Sequence, residues 1–162
     1  MINIEFGSGE TPTKQGYKTC DIRDLTGIDY VCPAWEIDQH VEPNSVSNIF
    51  SRHFFEHLTF EQGELFLENC HNILVKGGLM EMMIPDMDFH IEQWTSKSNI
   101  SHAKHGFWGR QREGLTETWD IHKSGYNYVM LEELLKSKGY CKIERIVGMK
   151  KNLHVKCYKD ES

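Results

Sequence analysis

The sequence begins with Ile2-Asn3-Ile4-Glu5-Phe6-Gly7-Ser8-Gly9, and this stretch decides the fold class. Apolar and polar residues alternate up to Phe6, which is typical of a β-strand, and the glycines then end the strand in a turn. Glycine allows a positive φ and a close approach of the backbone to a ligand. We therefore predict a strand whose carboxyl end carries a candidate ligand-binding turn.

Further strands and two helices follow along the chain. Thr59 and Gln62 form a predicted capping box for a helix over about 59–75, which the glycines of Lys76-Gly77-Gly78 would end. A second helix is predicted over 127–138. The later segments that read as strands are residues 17–22, 28–32, 46–51, 79–84, 141–148 and 153–158.

Strands that alternate with helices and loops indicate an α/β protein with a largely parallel sheet. We expect a Rossmann-like three-layer sandwich with a mostly parallel sheet and an antiparallel last strand. Residues 10–16 leave no room for a helix after the first strand, so we expect a minimal version that lacks the N-terminal helices. The length of 162 residues predicts a single domain over 1–162.

Composition excludes several functional classes. The net charge of −6 disfavours a nucleic-acid partner, which usually requires a basic face. The apolar runs are too short to span a bilayer, and the first residues do not resemble an export signal. Five widely spaced cysteines without a C-x-x-C motif favour free thiols in a reducing compartment. We therefore predict a cytoplasmic protein without membrane or nucleic-acid partners.

The residues after the first strand indicate the kind of cofactor. Asp21 lies at the end of the second predicted strand, where a carboxylate can hold ribose hydroxyls. The turn lacks the third glycine and the following helix that bind a dinucleotide's pyrophosphate. A positively charged cofactor with a ribose and no phosphate would tolerate both Glu5 and Asp21. S-adenosylmethionine, a sulfonium that contains adenosine, has these properties.

Motifs in the same order along nearly the whole chain carry a family resemblance. They are EFGSG (residues 5–9), CDI (20–22), PNSV (43–46), SRHFFEHL (51–58), ILVKGGL (73–79), IPD (84–86), HKSGY (122–126) and KGY (138–140). With these motifs the sequence resembles the small class I S-adenosylmethionine-dependent methyltransferases, in the branch of predicted methyltransferases.

The resemblance implies a set of residues that contact S-adenosylmethionine. The glycine turn would line its methionine and ribose part, Asp21 would bind the ribose hydroxyls, and residues 51–53 would lie beside the methyl group. The full cofactor-binding set is Glu5, Gly7, Ser8, Gly9, Asp21, Ile22, Cys32, Ser51 and Arg52. Members of the family commonly have an acidic residue at the end of the third strand, where this chain has Cys32-Pro33.

The resemblance also implies the reaction, a methyl transfer to an oxygen or nitrogen nucleophile of a small molecule or sugar. Because the sulfonium already activates the methyl group, the protein mainly has to hold the two reactants in line. A general base is needed only where the nucleophile must lose a proton. His53 is the candidate catalytic residue, since imidazole titrates near working pH.

Residues 89–122 contain three of the four tryptophans and four of the nine histidines, and this aromatic density argues against disorder. Long irregular segments in compact domains are often lids, and we predict that this one is a substrate lid or insertion. The predicted substrate-binding residues are Trp94, His105, Trp108, Gln111 and His122. The alternative is a peripheral aromatic layer that packs on the sheet or on a second subunit, and we expect a homodimer.

Two other functional classes remain open. His53-Phe54-Phe55-Glu56-His57 matches the H-x-x-E-H motif of inverted zincins, which would make the chain a zinc-dependent hydrolase. The motif lies at a junction between a strand and a loop, and the sequence marks no third ligand. We therefore assign no metal-binding residue. The second alternative is a non-catalytic module that binds the cofactor or a partner through a methyltransferase-like fold.

Overall fold

The computed structural model describes residues 1–111 and 118–161 and contains one seven-stranded sheet in this part of the chain. The strands are β1 (Ile2–Phe6), β2 (Lys18–Asp21), β3 (Tyr30–Val31), β4 (Val46–Arg52), β5 (Leu74–Pro85), β6 (Tyr140–Arg145) and β7 (Asn152–Lys159). Their order is β3-β2-β1-β4-β5-β7-β6, and β7 runs antiparallel to both of its neighbours. The Rossmann-like, mostly parallel sheet with an antiparallel last strand is confirmed.

The helices in the described segments are α1 (Phe60–Ile73), α2 (Met87–Ser96), α3 (Ile100–Trp108) and α4 (Tyr128–Ser137), with short 3₁₀ helices at Ala34–Gln39 and Phe55–His57. The predicted capping box begins α1, because the side chains and backbone N–H groups of Thr59 and Gln62 bond reciprocally. None of the described helices has the length and apolar character that a bilayer span requires.

The hydrophobic core lies between one face of the sheet and the helices that follow β4 and precede β6. Alternate residues of the strands, such as Ile4 and Phe6 in β1, join a buried cluster with Phe66 of α1 and Leu131 of α4. The Phe66 ring packs edge to face against Phe6, with 4.9 Å between the ring centroids. This face fixes the positions of the strands whose ends form the site.

On the opposite face of the sheet, hydrogen bonds to the Glu5 carboxylate hold the β1–β2 connection, which contains no helix. Right-handed crossovers bring the connections β1–β2 and β2–β3 to the face opposite α1, and neither described connection contains a helix. Glu5 is 2% exposed and accepts hydrogen bonds of 2.9 Å from the backbone N–H groups of Thr13 and Lys14. The Lys14 ammonium lies 3.5 Å from Glu81 on β5. These contacts hold the β1–β2 connection against the sheet.

The glycines Gly77 and Gly78 do not end α1, and that prediction is wrong. The helix ends at Ile73, and β5 starts directly at Leu74. The register between β4 and β5 shifts across this point, and Gly77 has a φ of +71°. A Cβ atom at Gly78 would lie 2.9 Å from the Val75 carbonyl oxygen. The glycines therefore accommodate an irregularity within the longest strand.

The described part of residues 89–122 is more regular than the sequence predicted, because α2 and α3 account for much of it; residues 112–117 of the predicted segment lie outside the described residues. The two helices pack closely, and a Cβ atom at Gly106 would collide with the His90 ring. The Trp94 and Trp108 rings lie edge to face with centroids 5.7 Å apart. The prediction of an irregular segment is therefore wrong for α2 and α3, which meet through aromatic and glycine contacts between residues of different helices.

The two edges of the sheet differ from its central strands. The edge strand β3 has two residues. The other edge strand, β6, shifts register against β7 between Cys141 and Glu144, and Lys142 between them has a φ of +48°. The edges are therefore either very short or interrupted.

Replacing Phe66 by alanine should remove the centre of the aromatic core. Phe66 is fully buried, and truncation of such a side chain typically costs about 3–5 kcal/mol of unfolding free energy. The matched control is Leu65→Ala on the exposed side of the same helix, where Leu65 is 47% exposed and the expected loss is about 0.5 kcal/mol. Urea unfolding of both variants measures the difference, and equal losses would contradict this description of the core.

Candidate functional site

Two adjoining cavities open at the carboxyl ends of the parallel strands, where α/β proteins usually bind ligands. The first, which we call the turn cavity, lies beside the turn after β1. Its lining includes the predicted cofactor residues Gly7, Asp21, Ile22 and Cys32. The structure therefore brings together residues from the ends of three neighbouring strands, as the sequence predicted.

Gly7 has no space for a side chain. Its φ is +67°, and a Cβ atom would lie 2.5 Å from Cδ2 of the Phe54 ring. Its backbone N–H also donates to the Cys20 carbonyl oxygen at 3.0 Å. The turn is thus held against β2 on one side and against Phe54, which also lines the turn cavity, on the other. Any larger residue would displace part of the cavity wall.

Asp21 is a buried carboxylate that Arg23 holds in place. Burial disfavours its charge, but the hydrogen bonds from Arg23 outweigh this effect and keep the pKa of Asp21 below its ordinary value. The guanidinium donates to both carboxylate oxygens at 3.0 Å, and the backbone N–H of Arg23 donates to Oδ1. Asp21 therefore faces the turn cavity as an anion.

Several predicted cofactor residues do not line the turn cavity. The carboxylate of Glu5 binds the β1–β2 connection, as described above, and the Ser8 hydroxyl donates to the Gly9 carbonyl oxygen. The Arg52 side chain is exposed, and the buried Ser51 hydroxyl oxygen has no hydrogen-bond partner in the described part of the chain. Their prediction as cofactor residues rests on the sequence resemblance alone.

The second cavity, which we call the histidine cavity, lies between the end of β5 and the pair α2–α3. It shares His53, His57 and Asp120 with the turn cavity, so the two cavities meet at these residues. The other histidines that line it are His90, His102, His105 and His122. The two cavities are therefore neighbours, and the same three side chains line both.

His53 stands at the junction in a strained backbone conformation. Its φ is +49°, a region that residues with a Cβ rarely adopt and that is often found at functional sites. Its ring nitrogen Nδ1 lies 3.4 Å from Oε1 of Glu56. The predicted catalytic residue is thus placed between the two cavities.

Glu56 is 2% exposed, and neither of its carboxylate oxygens makes a hydrogen bond with the residues that the structure describes. One ligating atom each from Glu56, His57 and His122 lies within 4.8 Å of the others. The sequence analysis missed this cluster. The H-x-x-E-H motif contains its first two members, but nothing in the sequence placed His122 beside them.

Burial lowers the pKa of two histidines in this cavity. Burial is the main cause at both His90 and His122. Hydrogen bonds from the His90 ring to Oε1 of Gln93 and from the His122 ring to the Gly106 carbonyl oxygen raise the pKa and only partly offset this effect. Both imidazoles are consequently neutral at pH 7. Neutral rings can accept a proton or bind a ligand through a free nitrogen.

The predicted substrate-binding residues divide into two groups. His105 and His122 line the histidine cavity. Trp94, Trp108 and Gln111 line neither cavity, and the two tryptophans are 40% and 47% exposed. The indole rings pack at the α2–α3 contact, beside the cavity rather than in its wall.

The sequence matches no protein-family model and no curated protein. Among solved structures, an S-adenosylmethionine-dependent methyltransferase from Methanosarcina mazei matches with a TM-score of 0.67 at 10% identity, over 99% of this chain and 93% of that one. A methyltransferase from Thermotoga maritima, described as a possible histamine N-methyltransferase, matches with a TM-score of 0.67 at 12% identity, over 98% and 82% of the two chains.

A third solved structure contains ligands. It is the 1,6-didemethyltoxoflavin-N1-methyltransferase of Burkholderia thailandensis with 1,6-didemethyltoxoflavin and S-adenosylhomocysteine bound. It matches with a TM-score of 0.61 at 14% identity, over 98% of this chain and 71% of that one. At such identities the likeness concerns the fold. This chain has the fold of the class I S-adenosylmethionine-dependent methyltransferases.

Proposed function

We propose that this protein transfers a methyl group from S-adenosylmethionine to an oxygen or nitrogen nucleophile of a small molecule or sugar. The observation that carries the proposal is the junction of the two cavities at His53, His57 and Asp120. One cavity would hold the cofactor and the other the acceptor. The methyl group would lie where they meet.

The turn cavity suits a nucleoside without a pyrophosphate. No helix follows the glycine turn in the described β1–β2 connection, so a diphosphate would lack its usual anion site. The anionic Asp21 would accept hydrogen bonds from the ribose hydroxyls, either beside the Arg23 guanidinium or in its place. Gly7 would let the backbone approach the cofactor, while Glu5 would act indirectly by holding the β1–β2 connection.

The histidine cavity would hold the acceptor. The pair α2–α3 forms one of its walls, which supports the prediction that residues 89–122 act as a lid over the strand ends. The Burkholderia N1-methyltransferase binds a small molecule, 1,6-didemethyltoxoflavin, on the same fold. The single domain, the cytoplasmic location and the homodimer remain predictions from the sequence.

The reaction would be an in-line displacement. A lone pair of the acceptor forms the bond to the methyl carbon while the carbon–sulfur bond breaks. The electron pair of the broken bond stays on sulfur, which gives S-adenosylhomocysteine. The acceptor's proton passes to His53, whose ring nitrogen Nδ1 lies 3.4 Å from Oε1 of Glu56. His53 then releases the proton to solvent.

The first test is the binding of S-adenosylhomocysteine by calorimetry, with NAD as the control ligand. We expect saturable binding of S-adenosylhomocysteine and no binding of NAD. In Asp21→Asn the affinity for S-adenosylhomocysteine should fall by roughly 10- to 100-fold, because charge-assisted hydrogen bonds to the ribose are lost. The matched control is Asp29→Asn, since Asp29 bonds Lys18 and Thr19 outside both cavities. Absence of binding, or equal losses in both variants, would overturn the cofactor assignment.

The second test concerns His53 and uses labelled S-adenosylmethionine with a panel of hydroxyl- and amine-containing acceptors. For an acceptor that loses a proton, His53→Ala should lower kcat by roughly 100-fold or more while the affinity for S-adenosylhomocysteine stays unchanged. His40→Ala, at an exposed position outside both cavities, is the control. Full turnover in His53→Ala would show that His53 is not the general base. Cofactor binding by the wild-type protein without turnover of any acceptor would favour a non-catalytic module.

A further inference from the structure

The histidine cavity contains a buried carboxyl group, Glu56, close to the imidazoles of His53, His57 and His122. Glu56 is 2% exposed, and within the described residues neither carboxylate oxygen has a hydrogen-bond partner; the ring nitrogen Nδ1 of His53 lies 3.4 Å from Oε1. A buried carboxylate in this state is costly unless a cation compensates its charge. The ligating atoms of Glu56, His57 and His122 all lie within 4.8 Å of one another. The three side chains therefore converge on one point.

Both imidazoles present the same nitrogen for a ligand. Nδ1 of His57 lies 3.1 Å from the Ile121 carbonyl oxygen, and Nδ1 of His122 lies 2.9 Å from the Gly106 carbonyl oxygen. A carbonyl oxygen only accepts hydrogen bonds, so either ring in its neutral form would carry its proton on Nδ1 and keep a free lone pair on Nε2. Proteins orient metal-binding histidines by this type of outer hydrogen bond.

We propose that Glu56, His57 and His122 bind a divalent transition-metal ion. Two imidazole nitrogens and one carboxylate suit borderline ions such as Zn²⁺, whereas Mg²⁺ and Ca²⁺ prefer oxygen ligands. Ligand atoms around a tetrahedral zinc ion lie about 3.4 Å apart. Side-chain rotations that move the ligand atoms by roughly 1 Å would therefore bring them to this spacing. Three protein ligands leave a fourth position open to the cavity.

This site differs from the zinc site that the H-x-x-E-H motif predicts. Phe55–His57 is a single turn of 3₁₀ helix, so His53 and His57 do not share the face of a longer helix. Glu56 is here a ligand rather than a general base. The third ligand, His122, comes from the segment that precedes α4.

The metal site would narrow the class of acceptor, and this step rests on the proposed function. The open position faces the cavity proposed for the acceptor. An oxygen or nitrogen atom bound there would become more acidic, because the ion stabilises its deprotonated form. Acceptors with a hydroxyl or amine that can bind a metal are therefore favoured over those without one.

The test is a calorimetric titration of chelator-treated full-length protein with Zn²⁺, without any adenosyl ligand. We expect one saturating equivalent, with binding weakened about 10- to 100-fold or more in His122→Ala and in the nearly isosteric Glu56→Gln. His40→Ala, on an exposed histidine away from the cluster, should bind like the wild type. Mg²⁺ at equal concentration should not displace Zn²⁺, and bound Co²⁺ should show ligand-field absorption that His122→Ala abolishes.

Circular dichroism and urea unfolding of the metal-free variants establish that each one is folded. No stoichiometric binding by the wild type, or unchanged binding by folded Glu56→Gln and His122→Ala, would overturn the metal site. Binding of S-adenosylhomocysteine is measured separately on the metal-free protein. Loss of one type of binding with the other intact then identifies which of the two proposals has failed.

Discussion

The backbone carbonyl of Glu56 accepts hydrogen bonds from the N–H groups of Lys123 (2.8 Å) and Ser124 (3.2 Å), and the arrangement of the site depends on this contact. It joins the short turn after β4 to the segment before α4, which are far apart in the sequence. The same residue directs its carboxylate toward the histidine cavity. His122, one residue before this contact, is thereby held opposite His57, and the His57–His122 ring centroids lie 5.0 Å apart.

The two faces of the sheet serve different purposes. The face under α1 and α4 is apolar and supplies the core, so it sets where the strands end. The other face carries Glu5 and Glu81, and its connection is held by hydrogen bonds to Glu5 instead of by a packed helix. An ordinary helix in this connection would bring more apolar area and its own N-terminal N–H groups. Without such a helix, Gly7 and Asp21 line the turn cavity directly.

The elements with a local signal were predictable from the sequence. The capping box at Thr59, the glycine turn after β1 and the antiparallel β7 all follow from short-range patterns. The extension of β5 through Gly77 and the pairing of α2 with α3 did not, because they depend on register and on contacts between distant residues. Glu56 and His57 stood in a recognised motif, but their meeting with His122 depends on a backbone contact that has no signature in the sequence.

The edges of the sheet affect whether copies of this chain associate through added strands. An exposed strand edge with regular free N–H and C=O groups can recruit another chain and lead to aggregation. Here β3 offers two residues, and β6 combines a shift of register with the charged side chains of Lys142, Glu144 and Arg145. Neither margin provides a regular template for an added strand. The molecule can therefore keep its strand ends open for ligands without offering its strand edges for growth of the sheet.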